Sequence, residues 1–226
     1  QDAHPQAPEA LARAPKPEIA APAQAEPVQA PPVQASPLVP WNAARQMLDS
    51  GEYQDALDCL AGAMTDPQAP VGVWVMAARA WWCIAQGGGD WRAYEKAAQA
   101  MERIQEQEPD NDDLWSRMGT CRVLQAAGER GASRIVTLDI AIANLRRAVE
   151  VEAAPDKTLL HTLGHALLQR AQATGSRATV ADLLEEAVST LQSATRAAND
   201  ASSPSAWLVE QALQAQAAAL PRAGTP

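Results

Sequence analysis

The sequence has no excess of basic residues and no long apolar run. It contains 27 Asp and Glu against 18 Lys and Arg, which leaves a formal charge of −9. An acidic surface repels phosphate backbones and no cluster of basic residues offsets it, so we expect no nucleic-acid partner. The longest apolar stretch, VGVWVMAARAWWCIA at 71–85, is shorter than the roughly 18 to 20 residues that cross a bilayer and contains Arg79. We expect it to form a buried helix and no part of this chain to span a membrane.

The sequence also has little material for catalysis. Of its three histidines, His161 and His165 form an i, i+4 pair of the kind that contributes two imidazoles to a metal. Thr162 occupies the position of the glutamate in H-E-x-x-H, and no third ligand lies nearby in the sequence. His4 is far away near the N-terminus, so the sequence also offers few histidines for a nucleophilic triad. We predict no catalytic residues, no metal and no cofactor; a metal or small-molecule carrier that uses the histidine pair is one alternative.

Three cysteines are too few, and odd in number, for a disulfide framework. Cys59, Cys83 and Cys121 fall among apolar helical positions, where a thiol behaves as a small core side chain. A disulfide between Cys83 and Cys121 on neighbouring helices is the alternative.

Residues 1–40 differ in composition from the rest of the chain. They hold 10 of the 17 prolines and 11 alanines, with few larger apolar residues. Such a segment cannot bury enough surface to offset its ordering entropy, so we expect an extended Pro/Ala-rich arm or linker. A helical domain is expected at 41–220 and a flexible tail at 221–226. Because the chain begins at Gln1, we expect that a secretory signal or a membrane anchor preceded a spacer of this composition.

One pattern recurs four times in the remaining chain. A Tyr or Leu is followed by small or apolar residues 3, 7 and 10 positions later, which places all four residues on one stripe of a helix. The copies are Tyr53, Ala56, Leu60 and Ala63; Tyr94, Ala97, Met101 and Ile104; Leu138, Ala141, Leu145 and Ala148; and Leu184, Ala187, Leu191 and Ala194. Alternation of small and large residues predicts that another helix approaches closely at the alanines.

Each of the last three copies follows a segment with a second pattern. Here a large residue precedes Gly or Ala by four positions, as in Trp74 and Ala78, Trp115 and Gly119, and Leu160 and Gly164. Together the two patterns resemble the tetratricopeptide repeat, W-x2-L-G-x2-Y in its first helix and A-x3-F-x2-A-x4-P in its second, over about residues 38–200. The resemblance implies an all-α solenoid of four antiparallel helix pairs.

A further amphipathic helix is predicted in SPSAWLVEQALQAQAAAL at 203–220. It would cover the open end of the array, as repeat proteins require. The residues expected to cover it are Trp207, Leu208 or Val209, Leu213 and Leu220.

The spacing between the two helices of a pair departs from the family. Ala44 and Tyr53 are nine residues apart, as in the family, whereas the later pairs are separated by sixteen, nineteen and twenty residues. The excess equals about two to three helical turns. We predict that hairpins two to four are taller, with tips at 86–90, 127–133 and 173–179 on one edge; long loops are the alternative.

In the family, first helices line a concave face that contacts protein ligands. The aligned positions are Trp41, Arg45, Val75, Arg79, Trp82, Ser116, Thr120, His161 and His165. The resemblance therefore implies that these residues bind a partner. Arginines flanked by tryptophans suit an extended peptide that bears an acidic group.

We therefore expect a non-catalytic protein–protein interaction scaffold or adaptor, a subunit of a larger complex. We expect it to be periplasmic or membrane-tethered in a bacterial-type envelope. A cytoplasmic chaperone or adaptor of a secretion or assembly system is the alternative location and role.

Overall fold

The computed structural model describes residues 39–88, 90–174, 176–200 and 202–219, and within these ranges it contains helices and no strand. The helices are α1 (Val39–Ser50), α2 (Tyr53–Met64), α3 (Val71–Gly88), α4 (Trp91–Gln107), α5 (Asp113–Gly128), α6 (Gly131–Val151), α7 (Lys157–Ala173), α8 (Arg177–Ala198) and α9 (Pro204–Ala219). Each helix packs against its neighbours in the chain. The expected all-α solenoid of four helix pairs, followed by one more helix, is confirmed.

The two ends of the chain are only partly covered by this description. Residues 1–38 lie outside the described residues, so the predicted arm is not tested beyond the fact that Val39 and Pro40 already belong to α1. The predicted tail at 221–226 and Leu220 also lie outside them. Among the described residues, no helix has the length and apolarity to cross a membrane.

The recurring stripe forms the buried face of the second helix in each pair. In α6 and α8 all of its residues are buried, and in α2 and α4 only the two tyrosines and Ala63 are partly exposed. Burying a leucine side chain contributes about 1.5 to 3 kcal/mol, so the stripe is a main source of stability in every hairpin. The spacing alone therefore located the packing face.

The later hairpins are taller than the first, as predicted. Helices α1 and α2 contain 12 residues each, whereas α3 to α8 contain 16 to 22. Only Glu129 and Arg130 join α5 to α6, so this tip is a tight turn and not a long loop. Trp91 at the start of α4 lies against Gly128 at the end of α5, which brings two neighbouring tips together.

Two helices begin at an aspartate that caps the first turn. The side chain of Asp90 accepts a hydrogen bond from Arg92 N at 3.0 Å, and that of Asp156 accepts one from Leu159 N at 2.7 Å. Both satisfy backbone N–H groups that have no partner inside the helix. Ser205 lies in the first turn of α9, where it is buried.

The apolar interior is a series of interfaces between hairpins. One buried cluster contains residues from every helix between α5 and α9, and another contains residues from every helix between α1 and α5. The half-buried Trp115 packs against both clusters. Trp74 and Trp81 also pack against the second cluster, although both remain partly exposed. A continuous core shared between neighbours is what makes repeat units depend on one another for stability.

The capping helix α9 uses Leu208, as predicted, but not Trp207 or Leu213. Leu208 and Ala212 face inward, whereas Trp207 is 60% exposed and Leu213 is 44% exposed. Ser205, Leu208 and Ala212 follow an i, i+3, i+7 spacing and form the buried stripe. Because neighbouring residues on a helix point about 100° apart, Trp207 cannot share the inward direction of Leu208. The prediction that Trp207 and Leu213 cover the end is therefore wrong.

A buried polar chain that sequence reasoning did not predict links α4, α5 and α6. Arg122 donates to Glu102 and, at 2.9 Å, to Gln125; Gln125 donates to Glu129 at 2.8 Å. Thr137 donates to the other carboxylate oxygen of Glu129 at 2.6 Å. Buried polar groups are costly unless paired, so these bonds hold the three helices in one relative position.

Cys83 and Cys121 are thiols and are not joined in a disulfide. Cys121 is fully buried, and this burial raises its thiol pKa to about 12. Cys83 is half-buried and hydrogen-bonds to Tyr53, a contact that raises the pKa of the phenol. Cys121 is therefore a core side chain, as the first interpretation predicted, whereas Cys83 is only half-buried.

Candidate functional site: the cleft between α3 and α5

The first helices of neighbouring hairpins differ in how closely they approach one another. Backbone Cα atoms within 8 Å join α1 to α3, α5 to α7 and α7 to α9, whereas α3 and α5 make fewer such approaches. The space between α3 and α5 is an open cleft of about 570 Å³. We call this space the α3–α5 cleft.

The cleft has an apolar floor and a more polar rim. Its floor consists of Ala78 from α3, Met101 and Ile104 from α4, and Leu114 from α5, all of them buried. The rest of the lining is Val75, Arg79, Trp82, Asn111, Asp113, Ser116, Arg117 and Thr120. An apolar floor with a few polar groups at the rim is typical of sites that hold a partner's side chain.

One wall of the cleft is a row of side chains on α3. Val75 is 49% exposed, so an aliphatic side chain meets solvent at this wall. Trp82 is half-buried, and its ring meets Tyr94 of α4 edge to face at a centroid distance of 5.6 Å. This geometry is favourable for aromatic pairs, and burial raises the pKa of Tyr94. Trp82 is therefore held in place while one of its faces lines the cleft.

The charged groups of the rim are exposed. Arg79 forms an ion pair with Asp49 of α1, with 3.2 Å between Nη1 and Oδ1, and the two side chains are 55% and 60% exposed. Arg117 and Asp113, on α5, stand across the cleft from Arg79 and are also exposed. The rim thus combines two guanidinium groups with the carboxylate of Asp113, and Asp49 contacts Arg79 from outside the lining.

The structure brings five of the nine predicted binding residues to this cleft: Val75, Arg79, Trp82, Ser116 and Thr120. They belong to two helices and are up to 45 positions apart in the chain. Thr120 donates its hydroxyl to the carbonyl of Ser116 at 2.8 Å, which leaves its oxygen able to accept a bond from a ligand. These five residues form one continuous surface.

The other predicted residues lie elsewhere. Trp41 is half-buried beside Gly72 and packs on the cluster formed by Ala44, Leu60, Ala69 and Val73, so its ring is part of the α1–α3 interface. Arg45 is exposed on α1 and does not line the cleft. The repeat alignment placed these positions on the same face as the cleft residues, but it could not show that α1 contributes no side chain to the lining of the cleft.

His161 and His165 lie at the contact of α7 with α9 and α6. His161 Nδ1 is 2.9 Å from Ser205 Oγ, and His165 Nε2 is 2.9 Å from Gln169 Nε2. The ring centroids are 6.2 Å apart, and burial lowers the pKa of both imidazoles. Within the described part of the chain, no group of three or more His, Cys, Asp and Glu side chains is arranged to hold a metal.

A smaller concavity of about 130 Å³ adjoins the cleft on the far side of α5. It shares Ser116 and Thr120 with the cleft and is otherwise lined by residues of α7 and the segment before it: Glu152, Asp156, Thr158, Leu159 and Thr162. The surface of the first helices is therefore indented on both sides of α5.

Sequence reasoning missed several residues of the rim and floor. Met101 and Ile104 were predicted only as core, and Arg117, Asp113 and Asp49 were not singled out. Arg117 lies three positions before Thr120, on the same face of a helix, which was a usable signal for its place at the rim. The role of Asp49 had no local signal, because its partner Arg79 is 30 positions away.

Comparison with known proteins identifies no family for this chain. No protein-family model and no curated protein matches the chain. A solved structure of MamA from AMB-1 has a similar arrangement of helices, with a TM-score of 0.41 and 16% sequence identity. The match covers 80% of this chain and 95% of the MamA chain.

Proposed function

We propose that this chain is a protein-interaction scaffold that holds a segment of a partner protein in the α3–α5 cleft and acts by binding, not by catalysis. The supporting observation is the open cleft between α3 and α5, whose rim exposes Val75 and the half-buried Trp82 beside an apolar floor. An apolar side chain of the partner would be removed from water there. Such central apolar contacts supply most of the energy of protein interfaces.

The partner segment is extended in this proposal. The cleft runs between α3 and α5, its lining includes arginine and hydroxyl groups, and it is open to solvent. An extended chain exposes its own N–H and C=O groups, which the side chains of Ser116, Asn111 and Thr120 are placed to meet. The hydroxyl and amide groups of the rim therefore suit main-chain recognition.

The location belongs to the proposal as well. We infer a place in a bacterial-type envelope assembly, either periplasmic or tethered to a membrane through residues 1–40. Its support is the composition of that segment, which is rich in Pro and Ala like a spacer. Fractionation of the native source is the test, and recovery of the protein in the cytoplasmic fraction would favour the alternative adaptor role.

The cleft is tested by two matched pairs of variants in a pull-down of partner proteins, identified by mass spectrometry from the native source. Val75→Ser should reduce capture at least several-fold, whereas Val136→Ser should not, because Val136 is equally exposed on α6 but does not line the cleft. Arg79→Glu should abolish capture, whereas Arg147→Glu, a charge reversal in an exposed pair on α6, should leave it intact.

Circular dichroism serves as the control for folding. All four variants alter exposed side chains, so their spectra and melting curves should match those of the wild type. Undiminished capture by both Val75→Ser and Arg79→Glu would place partner binding elsewhere on the molecule.

A further inference from the structure

We propose that Asp49 is an internal competitor at the binding cleft: in the unbound protein it occupies Arg79, and the bound partner displaces it with an acidic side chain of its own. This inference rests on the proposed function and names the chemistry of its ligand. The partner segment carries Asp or Glu two positions from an apolar residue.

The geometry of α3 sets that spacing. Val75 and Arg79 are one turn apart on the same side of the helix, which separates their Cβ atoms by about 5 to 6 Å. In an extended peptide, residues i and i+2 point to the same side and stand about 7 Å apart. A peptide that places its apolar side chain against Val75 therefore brings a carboxylate at i+2 or i−2 to the guanidinium of Arg79.

The ion pair between Arg79 and Asp49 is suited to exchange. Its closest atoms are 3.2 Å apart and both side chains are more than half exposed, so water screens it. Exposed pairs of this kind are weak. Arg117, across the cleft, adds a second positive charge that Asp49 does not reach in the observed contacts. An incoming carboxylate at Arg79 also faces Arg117 and Asp113 across the cleft, whereas Asp49 contacts Arg79 alone.

Asp49 therefore lowers the affinity of the cleft for its own ligand. Removing its charge should free Arg79 and tighten binding of an acidic peptide by about two- to five-fold, the size of an exposed ion pair. Asp139 provides a matched control, since it is also an exposed aspartate paired with an arginine, Arg170, at 2.6 Å, but on α6 and far from the cleft lining. Both substitutions to asparagine change the net charge by the same amount.

The experiment begins with a phage-displayed library of random dodecamers selected on the full chain and counter-selected on Arg79→Glu. The leading peptide is then labelled with fluorescein and titrated by anisotropy at about 0.05 and 0.3 M salt. Enriched peptides should carry Asp or Glu two positions from an apolar residue. Asp49→Asn should bind the leading peptide about two- to five-fold more tightly, mostly at low salt, and Asp139→Asn should bind as the wild type does.

Each of the other outcomes contradicts a different part of the two proposals. If Asp49→Asn binds no more tightly than the wild type, or if Asp139→Asn tightens binding equally, Asp49 is not a competitor, while the proposed function stands on the sensitivity to Arg79→Glu. If enriched peptides lack acidic residues but still need Val75, the acidic chemistry is wrong and the cleft is right. If no peptide depends on Arg79 or Val75, the cleft is not a peptide site and both proposals fall.

Discussion

Gly119 lies directly beneath Leu145. A Cβ atom built on Gly119 would stand 2.5 Å from Leu145 Cγ and 3.3 Å from the carbonyl oxygen of Ala141. Gly164 has the same relationship to Leu191 in the next hairpin, where a Cβ would be 2.7 Å from Cδ2. Because glycine has no side chain, the leucine of the second helix can contact the backbone of the first helix. This contact recurs from one hairpin to the next.

Gly119→Ala should destabilise the protein. The leucine above it belongs to a fully buried stripe, so the helices must move apart, and overpacking of this kind costs about 1 to 3 kcal/mol. Gly62→Ala is the matched control, because an added Cβ there meets nothing within 4 Å and alanine favours helix by about 0.5 to 1 kcal/mol. Urea unfolding followed by circular dichroism should show midpoints shifted in opposite directions, and equal midpoints would contradict the close approach.

The buried polar chain through Glu129 should matter more than an exposed ion pair. Glu129→Ala leaves Gln125 and Thr137 buried without their acceptor, which costs about 1 to 3 kcal/mol for each group left unsatisfied. Glu106→Ala removes an exposed partner of Arg103 and should cost less than about 1 kcal/mol. Urea midpoints of the two variants decide between them; a loss for Glu129→Ala no greater than for Glu106→Ala would show that the chain is not a stabilising feature.

The histidine pair should make stability depend on pH. Burial lowers the pKa of His161 and His165 below the ordinary value of 6.5. The unfolded chain therefore binds protons more readily than the folded one, so the contribution is fully present above about pH 6.5 and is lost as pH falls through the lowered folded pKa values. Urea midpoints at about pH 7.5 and 5 should fall more for the wild type than for a His161→Gln, His165→Gln double variant.

The carboxylates contribute equally to both proteins in that comparison, so the difference between them isolates the imidazoles. An identical fall in midpoint for the wild type and the double variant would mean that the two imidazoles are fully solvated in the folded protein and that burial does not lower their pKa.

Cys121 should be unreactive until the protein unfolds. Its side chain is fully buried and its pKa is raised to about 12, so little thiolate exists near neutral pH. A variant that keeps only Cys121 should react with a disulfide reagent slowly in buffer and fast in urea. A variant that keeps only the half-buried Cys83 should react faster in buffer. Fast labelling of Cys121 in buffer would contradict the packing of α5.

Much of the fold was determined by local sequence. The stripe of Leu138, Ala141, Leu145 and Ala148 is a helix face because its spacing matches the 3.6-residue turn, and every member is buried. Asp90 and Asp156 cap helices because a carboxylate beside the first turn satisfies free N–H groups. The taller hairpins follow from whole turns inserted between two patterns. Each of these inferences depends on residues close together in the chain.

Tertiary structure alone decided the site. The cleft between α3 and α5, the pairing of Arg79 with Asp49, and the bond from Arg122 to Glu102 bring together residues 20 to 45 positions apart, and no local pattern specifies such contacts. The outward direction of Trp207 was decided by which face of α9 met α7 and α8. Periodicity determines which residues share a helix face, whereas the packing of several helices at once determines what that face meets.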